Sequence, residues 1–222
     1  MNLSMERENR DLLLKGALHF GIQLEEKMVE AFDLYLRELL KWNQKINLTA
    51  IRTEKGIVLK HFLDSLSVFP YLPRISSLLD IGSGAGFPGI PLKIILPSLE
   101  VTLIDSVQKK VDFQRHIIRT LGLQGMAAIH GRIQDQEILQ RLGNKFDAAI
   151  ARAFTDLKTS LLLTFPFLKK NGVVLTMKGK SIEEEWDSLP AAEEIGYRLL
   201  KAAFFTLPFG SLRRSILLFE KI

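Results

Sequence analysis

The stretch LLDIGSGAGFPGIP, residues 78–91, decides the fold. An apolar run ends in an acid, Asp80, and four glycines follow within eight residues: Gly82, Gly84, Gly86 and Gly89. Glycine tolerates positive φ and lets the backbone approach a ligand closely. Such a loop between a strand and a helix builds a nucleotide site or serves as a purely structural turn. A Walker A loop requires G-x-x-x-x-G-K-[S/T], and no Lys–Ser/Thr pair follows these glycines. A dinucleotide fingerprint requires G-x-G-x-x-G. Gly82 and Gly84 fit it, but Phe87 holds the third position and Gly86 falls one residue early. This spacing, after an acid, points to a nucleoside cofactor whose tail carries an amino acid rather than phosphates. Asp80 is then expected to face a cationic amino group, with the glycine backbone near the carboxylate and ribose. Asp105 ends the next predicted strand, 19 residues after Gly86. It either accepts hydrogen bonds from ribose hydroxyls or caps the helix that begins near Val107. Ser106 is a local cap or a secondary contact.

Outward from the loop, strands and helices alternate. ISSLLDI precedes it and a helix through PLKIILP follows. EVTLID, MAAIH, FDAAIA and GVVLTM read as further strands, separated by helices in SVQKKVDFQRHIIRTLG, DQEILQRL and FTDLKTSLLLTFPFL. This rhythm predicts a parallel sheet covered on both faces, with right-handed crossovers. An acidic helix, SIEEEWDSLPAAEEIG, comes next. YRLLKAAFFTLPF and RRSILLFEKI, separated by FGSL, then read as a late antiparallel pair. Before the sheet, residues 8–20 and 24–45 predict helices, the second with an apolar stripe of Met28, Phe32, Tyr35, Leu36, Leu39 and Leu40. Asn47 and Thr49 mark a turn or cap, and another helix is expected over 54–68, before Pro70. The expected organisation is a helical extension over residues 1–70 and an α/β domain over 71–222.

The 222 residues, 47% hydrophobic and 25% charged, suit a globular chain with a buried core. A net charge of +5 and a pI near 9.4 favour an anionic partner such as nucleic acid. With no cysteine, the chain has no disulfide, thiolate nucleophile or cysteine metal site. No hydrophobic signal core opens the chain, and no run approaches the ~18 apolar residues of a membrane span. A cytoplasmic protein with no membrane association is expected. Four histidines without a His-Glu-x-x-His motif give little support to a metal enzyme.

DIGSGAGFPGIP, VTLIDSVQKKVDF, GRIQ and ARAF together resemble the bacterial guanine-N7 methyltransferases of small-subunit ribosomal RNA, the glucose-inhibited division protein B family. The resemblance runs from INLTAI through MKGK. It implies a class I S-adenosylmethionine-dependent, Rossmann-like sheet with an antiparallel C-terminal edge hairpin and an N-terminal helical extension. It also implies methyl transfer from S-adenosyl-L-methionine, leaving S-adenosyl-L-homocysteine, to guanine 527 in the 530 loop of 16S rRNA. The implied partner is 16S rRNA in the small ribosomal subunit or an assembly intermediate, with no obligate protein partner. The family's cofactor contacts fall on Gly82, Phe87, Asp105, Ile133 and Gln134, and its cleft arginine on Arg152. Gln134 stands where the family often has Glu, and Ala151 where it often has Ser. Glutamine keeps an acceptor and gains donors but loses the charge.

Asn47, His61 and Asp64 also match family segments. His61 and Asp64, three apart, share a helix face. They either touch substrate or form a hydrogen-bonded pair bracing the helical lead-in against the sheet. Arg152 and Lys178 are candidates for positioning the substrate. Lys109, Lys110, Arg115 and Arg119 line one helix, either facing RNA phosphates or as a solvated surface. Lys178 and Lys180, Arg213 and Arg214 are further candidates for RNA contact, and Phe154 for base stacking.

Guanine N7 carries a lone pair and no proton, so direct displacement needs alignment rather than a general base. The absence of cysteine argues against pyrimidine C5 chemistry and radical clusters. The absence of an Asn/Asp-Pro-Pro-Tyr/Phe segment argues against adenine amine methylation. Two alternatives are a small-molecule methyltransferase, which would have a closed apolar pocket without a basic rim, and a non-catalytic ribosome-binding or RNA-binding protein.

Overall fold

Short runs of aliphatic residues pair into one sheet, ordered β3–β2–β1–β4–β5–β7–β6. The computed structural model describes residues 4–152, 156–179 and 189–222. The strands are β1 (Ser77–Ile81), β2 (Glu100–Asp105), β3 (Met126–His130), β4 (Phe146–Arg152), β5 (Leu168–Lys178), β6 (Tyr197–Thr206) and β7 (Arg213–Lys221). The first five are parallel, and β7 joins β5 antiparallel with β6 outermost. The chain therefore has the class I Rossmann-like methyltransferase fold with an antiparallel edge.

Among the described residues, helical segments precede the sheet: α1 (Arg7–His19), α2 (Glu26–Ile46), and α3 (Glu54–Ile57), which continues through a π-helical stretch (Val58–Leu63) into α4 (Asp64–Leu66), with a 3₁₀ turn (Phe69–Tyr71) before β1. Asn47 ends α2 in the left-handed region at φ 49°, a conformation that asparagine adopts readily. The crossovers carry α5 (Gly89–Ile95), α6 (Gln108–Thr120), α7 (Gln136–Leu142) and α8 (Leu157–Thr164), and α9 (Leu189–Ile195) precedes β6. The expected helix through Leu168 stops earlier. Pro166 cannot donate to a helical carbonyl, and the chain passes through a 3₁₀ turn, Phe165–Phe167, into β5. Leu168 pairs with Phe146, and after a register shift Val173 pairs with Ala148. The acidic helix expected from residue 181 lies partly outside the described residues.

Strand alternation divides the core. Leu78, Val101, Leu103, Ile150 and Leu175 face α5, α6 and the lead-in, forming one apolar cluster with Leu13, Phe32, Leu36, Phe62 and Phe113. Leu79, Ile104, Ala149, Val174 and Leu217 face the other way, towards α7 and α8. Among the described residues no helix is long and apolar enough to cross a membrane.

The α2 stripe does more than fill space. Tyr35, fully buried, stacks on Phe87 at 5.3 Å and donates its hydroxyl to Ala85 O at 2.6 Å. Its apolar body packs while its polar tip holds the glycine loop. Tyr35→Phe leaves that buried carbonyl unsatisfied, which costs about 1–3 kcal/mol. Each kilocalorie lowers Tm by roughly 2–4 °C in a chain of this size. An unchanged melting curve would show that the bond contributes nothing to the fold.

Candidate cofactor cleft and active site

Where β1 ends, the chain reverses sharply. Gly82 and Ser83 both donate their N–H to Ile104 O, at 2.9 and 3.1 Å. Gly86, at φ 100°, turns the loop towards α5, and a Cβ there would lie 2.3 Å from Ile90 Cδ1 and 3.0 Å from the Tyr35 hydroxyl. Gln114 of α6 braces the same loop from below, donating Nε2–H to Ser83 Oγ (2.8 Å) and Gly84 O (2.7 Å). Sequence reading missed this role, although a glutamine between Val111, Phe113 and Ile117 breaks the apolar face of α6. That break is its signal.

Asp105 closes the loop from the β2 side. One carboxylate oxygen accepts from Gly84 N–H at 2.8 Å and the other from Val107 N–H at 2.9 Å. The turn-capping role is thus made, as a local Asx-type bond ahead of α6. Each oxygen keeps a second lone pair, and Asp105 stands in the wall of a cavity of about 470 Å³.

That cavity lies at the ends of β1, β2, β3 and β4. Its wall includes Gly82, Ile104, Asp105, Ser106, Lys110, Arg132, Ile133, Gln134 and Arg152. Five of the eight residues expected to bind cofactor therefore meet there. The other three stand behind the wall. Gly84 bonds to Asp105. Phe87 is only 5% exposed, sandwiched between His61 (4.5 Å, 9°) and Tyr35. Asp80, expected to face a cationic amino group, is 0% exposed and sits under the loop. Its Oδ2 accepts from Gly89 N–H at 2.7 Å, pinning the start of α5. That approach requires glycine, because a Cβ on residue 89 would lie 2.8 Å from the same oxygen. Burial pushes the Asp80 carboxyl up to about 7; the Gly89 N–H and the Arg152 charge oppose the shift, and the Asp105 charge adds to it.

Arg152, at the end of β4, is gripped by the helical lead-in. Its Nη2 donates to Lys60 O at 2.6 Å and to Asp64 Oδ2 at 2.8 Å, and lies 3.4 Å from His61 Nδ1. Asp64 Oδ1 accepts from Arg214 Nε at 2.6 Å. The bracing role therefore holds with one correction: His61 and Asp64 do not pair with each other but converge on Arg152. The two Nη2 hydrogens serve Lys60 O and Asp64, His61 Nδ1 stands beside them, and Nε2 shares a hydrogen bond with Thr49 Oγ1 at 2.7 Å. Burial, with the Arg152 charge next, pushes the His61 ring down to about 3; the Lys60 charge adds to the shift and a Lys60 backbone bond opposes it. Both His61 and Lys60 sit in the π-helical stretch, whose wider turn is a frequent feature of functional sites.

The candidates for RNA contact do not form one cluster. Lys109, Arg115 and Arg119 are exposed on α6, over the β2–β3 end of the sheet. Arg115 donates Nε–H to Ala128 O. Lys110 turns into the cavity wall instead. Lys178 and Arg213 lie at the other end, where β5 meets β7, and Asn47 is exposed beyond α2. Lys180 and Phe154 lie outside the described residues. Among the described residues no group of three or more His, Cys, Asp or Glu could hold a metal ion.

The family described as rRNA small subunit methyltransferase G matches residues 28–205. Ribosomal RNA small subunit methyltransferase G of Geobacter metallireducens is 44% identical over 214 residues, covering 96% of this chain and 96% of that protein. Its counterpart in Acetivibrio thermocellus is 38% identical over 217 residues, covering 97% and 90%. Among solved structures, M. jannaschii TYW2 in complex with AdoMet superposes with a TM-score of 0.52 at 22% identity, covering 66% of this chain and 69% of that one. Precorrin-6y C5,15-methyltransferase from Geobacter metallireducens gives 0.52 at 14%, covering 79% and 92%. At such identities these two structures speak for the fold.

The His61 shift has a measurable consequence. Between its unfolded value near 6.5 and about 3 in the fold, the unfolded chain binds the extra proton. Stability therefore falls as pH drops through that window, by up to about 1.4 kcal/mol per unit. His61→Gln removes this contribution, so its loss of Tm between pH 7 and 4.5 should be shallower than the parent's. Equal slopes would mean that the ring is not held neutral.

Proposed function

The chain belongs to the family of rRNA small subunit methyltransferase G, and from that premise we propose which of its residues perform the reaction. Its activity is S-adenosylmethionine-dependent methylation of guanine 527 of 16S rRNA at N7. One observation carries the assignment of the site. Residues 82, 105, 133, 134 and 152, far apart in the chain, share one cavity wall at the strand ends, where α/β folds bind their ligands.

The lining suits the methyl donor. Asp105 has lone pairs for ribose hydroxyls, and Ile104 and Ile133 offer apolar contact for the adenine. Gln134 supplies donors and an acceptor at that end, in place of a carboxylate. Gly82, in the cavity wall, lets the backbone approach the amino-acid tail, and Gly84 acts from behind by holding Asp105. Asp80 acts from beneath, by holding the start of α5. When bound, S-adenosylmethionine supplies an electrophilic methyl group on a sulfonium, which guanine N7 takes by direct displacement.

The protein's part is alignment, which contributes up to about 7–11 kcal/mol to such a step. No base is needed, and His61 stands outside the cavity wall, stacked on Phe87 and bonded to Thr49. Arg152 borders the cleft where the guanine would enter. Asp64, shared with Arg214, holds the Arg152 guanidinium in place at the cleft. The basic wall and rim, Lys110, Arg132 and Arg152, differ from the closed apolar pocket expected for a small-molecule substrate.

The chain associates with ribosomal RNA as its substrate. We assign the RNA backbone to the exposed cations Lys109, Arg115 and Arg119 on one flank, and to Lys178 and Arg213 on the other. Residues 1–70 serve as the helical extension and 71–222 as the catalytic domain. A cytoplasmic location accompanies a small-subunit substrate, either complete or in assembly.

Radiolabelled S-adenosylmethionine incubated with naked rRNA and with assembled small subunits should place label at guanine N7. Label confined to a small metabolite would refute the assignment. Asp105→Ala should raise the Kd for S-adenosylmethionine at least about tenfold, since a hydrogen bond to a charged group contributes about 1.5–3 kcal/mol. Parental affinity in that variant would remove Asp105 from the cofactor site.

A further inference from the structure

The hairpin between β6 and β7 projects from the same end of the sheet as the cavity. Thr206 and Arg213 are its last paired residues, and Leu207 N–H donates to Leu212 O at 2.9 Å. The corner is Pro208–Phe209, and Phe209 has φ 61° with 55% of its surface exposed. A bulky residue at positive φ is a genuine outlier, and glycine is the residue that adopts it without strain. Gly210 stands immediately after, yet the strained position carries the aromatic ring. Strain kept in place by a firm surround is a mark of function.

The surround here is firm. Leu207 is buried, and Phe205 lies against Phe20 (6.4 Å) and Tyr71 (6.2 Å). Arg214 is fixed to Asp64 at 2.6 Å. The charge of the segment is one-sided: from Lys201 to Phe219 the sequence has no acid and carries Lys201, Arg213 and Arg214. An exposed ring on a rigid mount beside cations matches the recognition of unstacked bases, where the ring stacks and the cations take phosphates.

We propose that Phe209 is a stacking platform for an unpaired base of the substrate RNA that flanks the methylated guanine, with exposed Arg213 on the neighbouring phosphate. A flanking base, not the target, is implied by distance. The corner joins β7 and β6, two to three strand spacings from β4 across the sheet, roughly 10–14 Å at ~4.8 Å per spacing. That is about three to four nucleotides of a stacked strand. This assignment rests on the RNA-methyltransferase reading of the cleft.

Steady-state methylation of small-subunit RNA by the full chain, with a separate S-adenosylmethionine Kd and a melting curve, tests it. Phe209→Gly removes both ring and strain. It should hold or raise Tm, leave kcat and the cofactor Kd at parental values, and raise KM for RNA about tenfold, as expected for one lost stacked base. Phe209→Trp should stay within about twofold of the parent, while Phe209→Leu should behave like Phe209→Gly. Parental KM in Phe209→Gly overturns the stacking role. Parental KM in Phe209→Leu also overturns it, in favour of plain apolar contact. If the parent itself places no label in rRNA, the reading of the cleft fails and this inference with it; label with an unchanged KM sinks the inference alone.

Discussion

A single carboxylate ties together the three parts of the chain that build the cleft. Asp64, only 2% exposed, lies between Arg152 at the end of β4 and Arg214 on β7. The helical lead-in, the central sheet and the edge hairpin are therefore joined by one buried group. Two cations without this partner would stand uncompensated in a low-dielectric site, and removing one member of a buried pair costs far more than the pair contributes. Fixing Arg152 also fixes what Arg152 touches: His61, the backbone at Lys60 and the ring of Phe87.

The glycine loop depends on this arrangement and on three further braces. Glycine gives the loop its turns, and the same freedom costs it backbone entropy. The structure restrains it from three sides: the Tyr35 hydroxyl from α2, the Gln114 amide from α6 and the Asp105 carboxylate from β2. A loop held in this way is pre-organised, so a ligand bound there does not have to order it. The lead-in is thus structural support for the loop as well as cover for one face of the sheet.

Electrostatics in the cleft follow from burial. His61 stays neutral because it is desolvated beside a guanidinium, and Asp80 is pushed upward because it is fully enclosed. Neither group is arranged as a base for the target atom. This agrees with a nucleophile that already carries a free lone pair, where position matters more than proton transfer.

Much of the molecule was legible from residue pattern alone. Period-two apolar runs located the strands, and the G-x-G-x-G spacing after Asp80 located the turn, because both depend on local stereochemistry. The Asp105 cap on Val107 and the turn at Asn47 were readable for the same reason: each bonds or bends within a few residues of itself. What only tertiary structure decided was every partnership across the chain. That Asp64 serves Arg152 and Arg214 rather than His61, that Asp80 holds α5 from below, and that Lys110 turns into the cavity wall all depend on packing angles between helices and sheet. A sequence specifies such groups one at a time, but the burial and distance that set their chemistry exist only once the sheet has twisted and the lead-in has closed on it.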